Sequence, residues 1–93
     1  MKEQESTNEQ ESPKELKGGK ELIEYIAKSI VNEPSAVVVT EETDERGTTL
    51  KLQVADEDKG RVIGKQGRVA EAMRTLLRVT AAKAGTRATL EIL

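Results

Sequence analysis

The sequence predicts an α+β domain with the element order α-β-β-α-α-β, in which three helices cover one face of a three-stranded mixed sheet. Two patterns support this fold class. Apolar residues recur every three or four positions over 20–32 and 67–83, which is typical of amphipathic helices. Apolar and polar residues alternate over 50–54 and 88–92, which indicates strands with one buried face.

The first half of the folded region is predicted to be a helix followed by a hairpin. The helix has one broad apolar stripe and ends before Pro34. The segment 36–40 is rich in β-branched residues, which favour a strand. Turn-forming residues at 44–47 separate it from the strand over 50–54, and Gly47 can adopt a positive φ. We therefore expect these two strands to pair in the antiparallel direction.

The second half is predicted to contain two helices and a final strand. A short helix over 56–63 begins with Asp56 as its N-cap and ends at Gly64. The acidic residues that follow Asp56 are expected to be solvated. The longer helix that comes next ends before Gly85, which serves as its C-terminal glycine cap. The residues expected on the buried side of this longer helix are Val69, Met73, Leu76, Leu77 and Thr80.

Composition separates an N-terminal tail from a single domain. Residues 1–18 are mostly polar and acidic, and they hold too few apolar side chains to offset the entropy lost on ordering. We therefore expect a disordered tail over 1–18 and a domain over 19–93. The net charge of −2 is unevenly distributed, since 19–58 carries four basic and ten acidic residues while 59–93 carries eight basic and two acidic residues. The C-terminal half is therefore predicted to attract an anion.

The residues present exclude several kinds of chemistry. The chain has no cysteine and no histidine, which removes thiolate and imidazole groups as nucleophiles, acid-base groups or metal ligands. Gly60, Gly64 and Gly67 do not have the spacing of a P-loop or of a dinucleotide-binding fingerprint. We recognise no catalytic constellation, so we expect no enzyme activity, no metal and no cofactor. No apolar run approaches the ~20 residues of a membrane span and no signal peptide is visible, so we expect a cytoplasmic location and no membrane partner.

The most informative stretch is 60–68, which reads Gly-Arg-Val-Ile-Gly-Lys-Gln-Gly-Arg. It joins the two predicted helices through a turn bracketed by Gly64 and Gly67, with Lys65 between them. Glycine lets a ligand approach the backbone closely because it has no Cβ. The following helix adds free N–H groups and the positive end of its dipole near Gly67. The pattern therefore predicts a site that binds phosphate oxygens.

This stretch resembles the V-I-G-x-x-G signature of KH domains, and the predicted element order is similar to that of their type II form. The likeness covers about residues 20–93. KH domains grip about four nucleotides of single-stranded RNA or DNA, with the glycine loop clamping the backbone. The resemblance therefore implies single-stranded RNA as the partner and a binding groove whose second wall is a strand of the sheet, for which 50–54 is a candidate. The RNA-binding residues that it implies are Arg61, Val62, Ile63, Gly64, Lys65, Gln66, Gly67 and Arg68.

The resemblance extends to the very small bacterial proteins that consist of one KH domain, and it implies a cellular role. Members of that group are regarded as RNA chaperones and post-transcriptional regulators. They form homodimers, or heterodimers with a larger KH-containing protein, and they influence cell elongation and cell-wall homeostasis. No small-molecule substrate is implied. The small aliphatic core that the composition predicts is also consistent with partial burial in a dimer.

Two other interpretations remain open. In the first, the domain is an assembly module with a vestigial loop, and it binds other proteins through Met73, Leu76 and Leu77 or through a sheet edge. In the second, it binds DNA, either as a single strand or as a duplex read by the two helices, although the glycine-rich turn argues against a rigid helix-turn-helix. Because Tyr25 is the only aromatic residue, we expect weak and sequence-tolerant RNA binding unless a second KH domain adds avidity.

Overall fold

A computed structural model describes residues 18–93. The predicted element order and the α+β class are confirmed. Short 3₁₀ turns precede β1, α2 and α3. The expectation of a disordered tail over 1–18 lies, apart from Gly18, outside the described residues. The helices and strands are α1 (Gly19–Ile30), β1 (Val38–Asp44), β2 (Gly47–Gln53), α2 (Lys59–Ile63), α3 (Arg68–Ala84) and β3 (Ala88–Ile92).

The three strands form one mixed sheet in the order β1-β2-β3. β1 and β2 pair antiparallel, as the hairpin prediction required, and β2 pairs parallel to β3, with Leu50 opposite Leu90. The first strand lies further along the chain than the predicted 36–40. Its pairing with β2 continues to the turn, where Asp44 lies opposite Gly47. Strand pairing along the whole hairpin thus extends β1 beyond the β-branched run.

The core lies between the sheet and the helices. Leu50 and Leu52 of β2 are completely buried. The residues that alternate with them point to the opposite, more open face of the sheet, and these are Thr49, Lys51 and Gln53. This alternation places the apolar residues of the central strand under the helices. The largest buried side chains that the helices contribute are Ile23 of α1, Val62 of α2, and Met73 and Leu77 of α3.

Helix α3 buries a narrower stripe than the sequence predicts. Met73 and Leu77 are buried as expected, but Leu76 is 47% exposed, so the prediction of a buried Leu76 is wrong. The stripe is completed by Ala70 and Ala81, which are buried instead. Leu76 lies about 100° round the helix from Leu77 and so falls outside this stripe.

The end of α3 agrees with the cap that the sequence predicts, whereas the beginning of the short helix α2 does not. Gly85 ends α3 in the left-handed conformation with φ 75°, which confirms the predicted cap. The amide of Thr86 donates to the carbonyl of Ala81 at 3.0 Å, as in a Schellman motif. Asp56 makes no side-chain capping hydrogen bond, so its predicted role as an N-cap is wrong.

Within residues 18–93, no helix combines the length and apolar character needed to cross a bilayer.

Candidate nucleic-acid interface

The loop between α2 and α3 has an unusual backbone. Gly64, Gln66 and Gly67 all have positive φ, at 81°, 57° and 74°. The turn is held together by two backbone hydrogen bonds, from the Gly64 amide to the Gly60 carbonyl at 2.8 Å and from the Gly67 amide to the Gly64 carbonyl at 3.0 Å. Gln66 is the only non-glycine residue with positive φ in the described chain. These angles turn the backbone sharply between α2 and α3.

The two glycines of the loop are required for different reasons. A Cβ atom added to Gly64 would lie 2.4 Å from Cγ2 of Val69 and 2.8 Å from the Val69 amide nitrogen. A Cβ added to Gly67 would meet nothing within 4 Å, so at this position only the left-handed backbone favours glycine. Gly64 therefore allows α3 to pack against the loop, and Gly67 leaves open space above it.

Two backbone amides at the tip of the loop are available to a ligand. The N–H groups of Lys65 and Gln66 donate no hydrogen bond to any group in the described part of the chain. Both residues are exposed. Adjacent N–H groups in a sharply turned backbone form a concavity that accepts an anion. The arrangement suits a phosphate oxygen, with the Lys65 ammonium group beside it.

The two apolar residues before the loop have different environments. Val62 is completely buried and belongs to the core, so its side chain offers no surface to RNA, and the implied contact at this residue is wrong. Ile63 is 41% exposed and directly precedes Gly64. Val62 thus anchors α2, while Ile63 provides the apolar surface next to the loop.

Two arginines flank the loop in the sequence, and the structure leaves both exposed. Arg68 begins α3 directly after the second glycine. The Nε atom of Arg61 lies 3.6 Å from Oδ1 of Asp58, with the Arg61 side chain 54% exposed. Arg61 and Arg68 therefore place exposed basic side chains directly before and after the loop.

Asp58 is a buried carboxylate that sequence reasoning missed. Its side chain is completely buried and accepts hydrogen bonds from the amides of Asn32 and Glu33, both at 3.1 Å. The expectation that it is solvated is wrong. The contact ties the residue before α2 to the segment that follows α1, and it fixes where α2 and the loop begin. The sequence offers no signal for this role, since Asp58 stands in a run of three acidic residues of which only one is buried.

The strand 50–54, expected from the sequence as the second wall of the groove, does not border an open cleft. Leu50, Leu52 and Val54 are buried, and β2 is the central strand, so the expectation that 50–54 forms a groove wall is wrong. The strand at the sheet edge next to α3 is β3. A cavity of about 160 Å³ lies between these two elements and is lined by Arg74, Arg78, Ala88, Thr89 and Leu90. An open cleft beside α3 thus has β3 as its wall.

The described residues contain no group of three or more carboxylates close enough together to hold a metal ion. They contain three ion pairs, of which Lys51 with Glu42 lies on the open face of the sheet and Lys59 with Asp56 lies on the turn into α2. Neither pair touches the glycine loop. The third pair, Arg61 with Asp58, lies on α2 before the loop, and within 18–93 Lys65 and Arg68 form no ion pair. The loop therefore offers backbone amides and basic side chains rather than carboxylates.

An α-β-β-α-α-β order with a G-x-x-G loop between consecutive helices defines a KH domain of the type II arrangement. Comparison with protein families agrees, because the family model described as "KhpA/KhpB, KH domain" matches residues 20–92. The chain belongs to this family. The match includes all three strands, all three helices except the first residue of α1, and the whole loop.

Curated relatives cover the same region. The chain is 50% identical over 74 residues to the RNA-binding protein KhpA of Clostridium acetobutylicum, which covers 80% of this chain and 99% of the relative. It is 51% identical over 73 residues to the RNA-binding protein KhpA of Treponema pallidum, covering 78% and 91%. The protein of the same name from Listeria monocytogenes EGD-e is 48% identical over 73 residues, covering 78% and 96%. No solved structure matches the chain significantly.

Proposed function

We propose that this protein binds single-stranded RNA and that the loop 64–67 grips the RNA backbone. The observation that carries the proposal is that the amides of Lys65 and Gln66 have no hydrogen-bond acceptor among residues 18–93, at a loop where the Lys65 side chain is exposed. Relatives that share about half of its residues are named RNA-binding proteins, which supports RNA as the ligand. The KH domain binds single strands because its narrow groove takes a splayed backbone rather than a helix.

In this proposal, a phosphate oxygen accepts hydrogen bonds from the Lys65 and Gln66 amides. Lys65, Arg61 and Arg68 supply charge, which raises the local concentration of an anionic strand and steers it to the loop. A base rests on the exposed part of Ile63. Backbone contacts carry no base preference, so the loop positions the strand without selecting its sequence.

The affinity of one domain for RNA is expected to be low. Proteins that stack bases on aromatic rings gain about 1–3 kcal/mol per base. The only aromatic residue of this chain, Tyr25, lies on α1 and outside the loop and its flanking residues. Aliphatic contact with Ile63 and ionic contact with phosphates therefore provide the binding energy, and both tolerate many sequences.

We further propose a cellular role and a mode of assembly, on the strength of the family resemblance. The protein acts in the cytoplasm as an RNA chaperone and post-transcriptional regulator, with an influence on cell elongation and cell-wall homeostasis. It assembles as a homodimer or with a larger, KhpB-like partner. Support for assembly comes from apolar side chains left on the outer side of α3, where Leu76 is 47% and Val79 is 54% exposed. A second KH domain would raise the apparent affinity for RNA through avidity.

The test of the proposed site replaces Lys65 and Gln66 with aspartate. The variant Lys65→Asp/Gln66→Asp keeps both glycines and places two carboxylates where phosphates are expected to bind. Its matched control, Lys28→Glu/Ser29→Glu, makes the same change in net charge on exposed residues of α1. Binding of a fluorescent single-stranded RNA is measured by anisotropy, with single-stranded and duplex DNA of the same sequence as competitors.

We expect the loop variant to lose at least tenfold in RNA affinity and the control to bind within twofold of the parent. Circular dichroism establishes that both variants are folded. If the loop variant is folded and binds RNA as tightly as the parent, the assignment of the RNA-binding site to the loop 64–67 is wrong. Preferential competition by duplex DNA would favour the DNA-binding interpretation, and absence of RNA binding by the parent would favour the assembly module.

A further inference from the structure

Three cavities run together along the edge of the sheet and lead away from the cleft described above, whose wall is β3. The first, of about 160 Å³, lies between α3 and β3. The second, of about 340 Å³, shares Arg78, Ala88 and Thr89 with the first. The third, of about 300 Å³, shares Arg87 and Thr89 with the second and ends at the β1–β2 turn. Because each cavity shares walls with the next, they form one continuous depression.

Arginines line this depression along its whole length. Arg74 and Arg78 come from α3, Arg87 from the loop before β3, and Arg46 from the β1–β2 turn. The guanidinium groups of these four residues form no ion pair with any residue in 18–93. We call the depression lined by these four residues the arginine trough.

One carboxylate, that of Asp44, also lines the trough. Its Oδ1 atom accepts the backbone amide of Arg46 at 2.8 Å, so part of its hydrogen-bonding capacity is used by the turn itself. Four cations against one carboxylate leave the trough strongly positive, in a protein whose net charge is −2. Such a local excess attracts a polyanion in spite of the overall negative charge.

The far end of the trough is fixed by backbone contacts. The amide of Thr48 donates to the carbonyl of Arg87 at 2.9 Å. A Cβ added to Gly47 would lie 2.5 Å from the same carbonyl oxygen, so the turn and the loop before β3 are in direct contact. This contact holds the backbones that carry Arg46 and Arg87 next to each other.

The far end of the trough, at Arg46 and Arg87, is too far from the glycine loop to belong to the same phosphate-binding site. Arg68 begins α3 beside the loop, and Arg87 follows its other end. A helix of 17 residues spans about 25 Å at 1.5 Å per residue. Four nucleotides held at the loop and in the adjacent cleft do not account for Arg46 and Arg87 beyond the other end of α3.

We propose that the part of the arginine trough beyond the α3–β3 cleft, at Arg87 and Arg46, binds a second stretch of the same single-stranded RNA that the glycine loop holds. This inference rests on the proposed function and extends the RNA footprint beyond the loop. Guanidinium groups bind phosphate with paired hydrogen bonds, and the hydroxyl groups of Thr49 and Thr89 offer further donors to phosphate or ribose.

The shape of the trough favours a single strand over a duplex. Leu90 of β3 faces the helices, whereas its neighbour Thr89 is exposed and pairs in register with Thr49 on the opposite face of the sheet. A ligand that follows the trough from α3 to the β1–β2 turn must therefore bend round the edge of β3. A flexible single strand can follow this path, while a duplex is stiff over such a distance.

The test uses the variant Arg46→Gln/Arg87→Gln and RNA of two lengths. One oligomer has about four nucleotides, which suffices for the loop, and the other is about three times as long. The control variant Lys20→Gln/Lys28→Gln removes the same charge from α1, whose residues line none of the three cavities. A second variant, Arg46→Lys/Arg87→Lys, keeps the charge and removes only the guanidinium geometry.

We expect the glutamine variant to bind the long RNA about 3- to 10-fold more weakly and the short RNA as tightly as the parent, since two exposed phosphate contacts are lost. Its slope of log affinity against log salt for the long RNA becomes shallower by about 1.4, because about 0.7 is lost per phosphate on a single strand. The lysine variant recovers most of the affinity and the slope, and the control matches the parent.

If the glutamine variant binds the long RNA as tightly as the parent, the proposal that the trough binds RNA is wrong, and the assignment of the loop is unaffected. Loss of binding to both lengths by the glutamine variant would also overturn the proposal, because the arginines would then act at the loop or on the fold. If the parent binds neither length, the proposed function itself fails. A glutamine variant that binds RNA normally but no longer self-associates would assign the trough to protein contact instead.

Discussion

Gly64 and Val69 lie in direct contact across the turn between α2 and α3. The side chain of Val69 occupies the space in which a Cβ of residue 64 would lie, at 2.4 Å from Cγ2. Gly67, three residues later, has open space around it. The two glycines of one motif therefore tolerate substitution to different degrees, and this difference can be measured.

Gly64→Ala is expected to destabilise the domain by about 3 kcal/mol or more, since a strained backbone and a steric overlap add together. Gly67→Ala is expected to cost about 1–2 kcal/mol, the usual penalty of the left-handed conformation for a residue with a Cβ. Urea denaturation of the two variants and the parent gives the comparison. Gly67→Asn serves as the control, because asparagine adopts this conformation readily. Equal losses at the two positions would contradict the packing of Val69 against the loop.

Asp58 leads to a second prediction, because its buried carboxylate accepts two backbone amides and faces Arg61. Asp58→Ala leaves those partly buried amides without an acceptor and is expected to cost about 2 kcal/mol. Asp58→Asn retains one acceptor oxygen and is expected to lose about half as much. Chemical denaturation measures both changes.

The matched control for Asp58 is Asp56→Ala, two residues earlier, whose side chain is 97% exposed and pairs only with Lys59. We expect no measurable change in stability for this control, since exposed ion pairs contribute little. A similar loss for Asp56→Ala and Asp58→Ala would mean that burial of Asp58 does not distinguish it from its neighbours.

Val62 and Ile63 allow stability and binding to be separated at adjacent residues. Val62→Ala removes two buried methyl groups and is expected to cost about 2 kcal/mol, with unchanged RNA affinity in the folded protein. Ile63→Ala alters an exposed side chain and is expected to weaken RNA binding severalfold with little loss of stability. Thermal unfolding and fluorescence anisotropy on the same samples test this. The opposite pattern would show that the base contacts lie elsewhere.

The salt dependence of binding to a short RNA reports how many phosphates the glycine loop neutralises. With two or three phosphates held by Lys65, Arg61 and Arg68, the slope of log affinity against log salt is expected to be about −1.4 to −2.1. Titrations with an oligomer of about four nucleotides over a range of salt concentrations measure it. A slope near zero would rule out phosphate contacts as the source of affinity at the loop.

The order of the elements was predictable from the sequence because it depends on local signals. Alternation over 50–54, the helical period over 67–83 and the glycine at 85 each act within a few residues. The G-x-x-G loop was predictable for the same reason, since its glycines and lysine are adjacent in the chain. The structure places them in one turn with positive φ at three positions.

Other features depend on contacts between distant residues, and the sequence did not reveal them. Asp58 receives its hydrogen bonds from residues about 25 positions earlier, and nothing near it marks it as buried. Leu76 is exposed because the face of α3 that packs on the core runs through Ala70, Met73, Leu77 and Ala81, and hydrophobicity alone does not show which side of a broad apolar stripe is buried. The position of β3 beside the cleft next to α3 follows from the parallel pairing of β3 with β2, and no local pattern encodes a neighbour across the sheet.

That parallel pairing also determines when the domain can fold during synthesis. Leu50 and Leu52 emerge from the ribosome with α1 and β1, but their other neighbouring strand, β3, is translated roughly 40 residues later. Until residues 88–92 are available, the nascent chain carries an open strand edge and an uncovered aliphatic surface. If translation stops before β3 is synthesised, the nascent chain is therefore expected to be prone to aggregation. The sheet is completed only once β3 has been added.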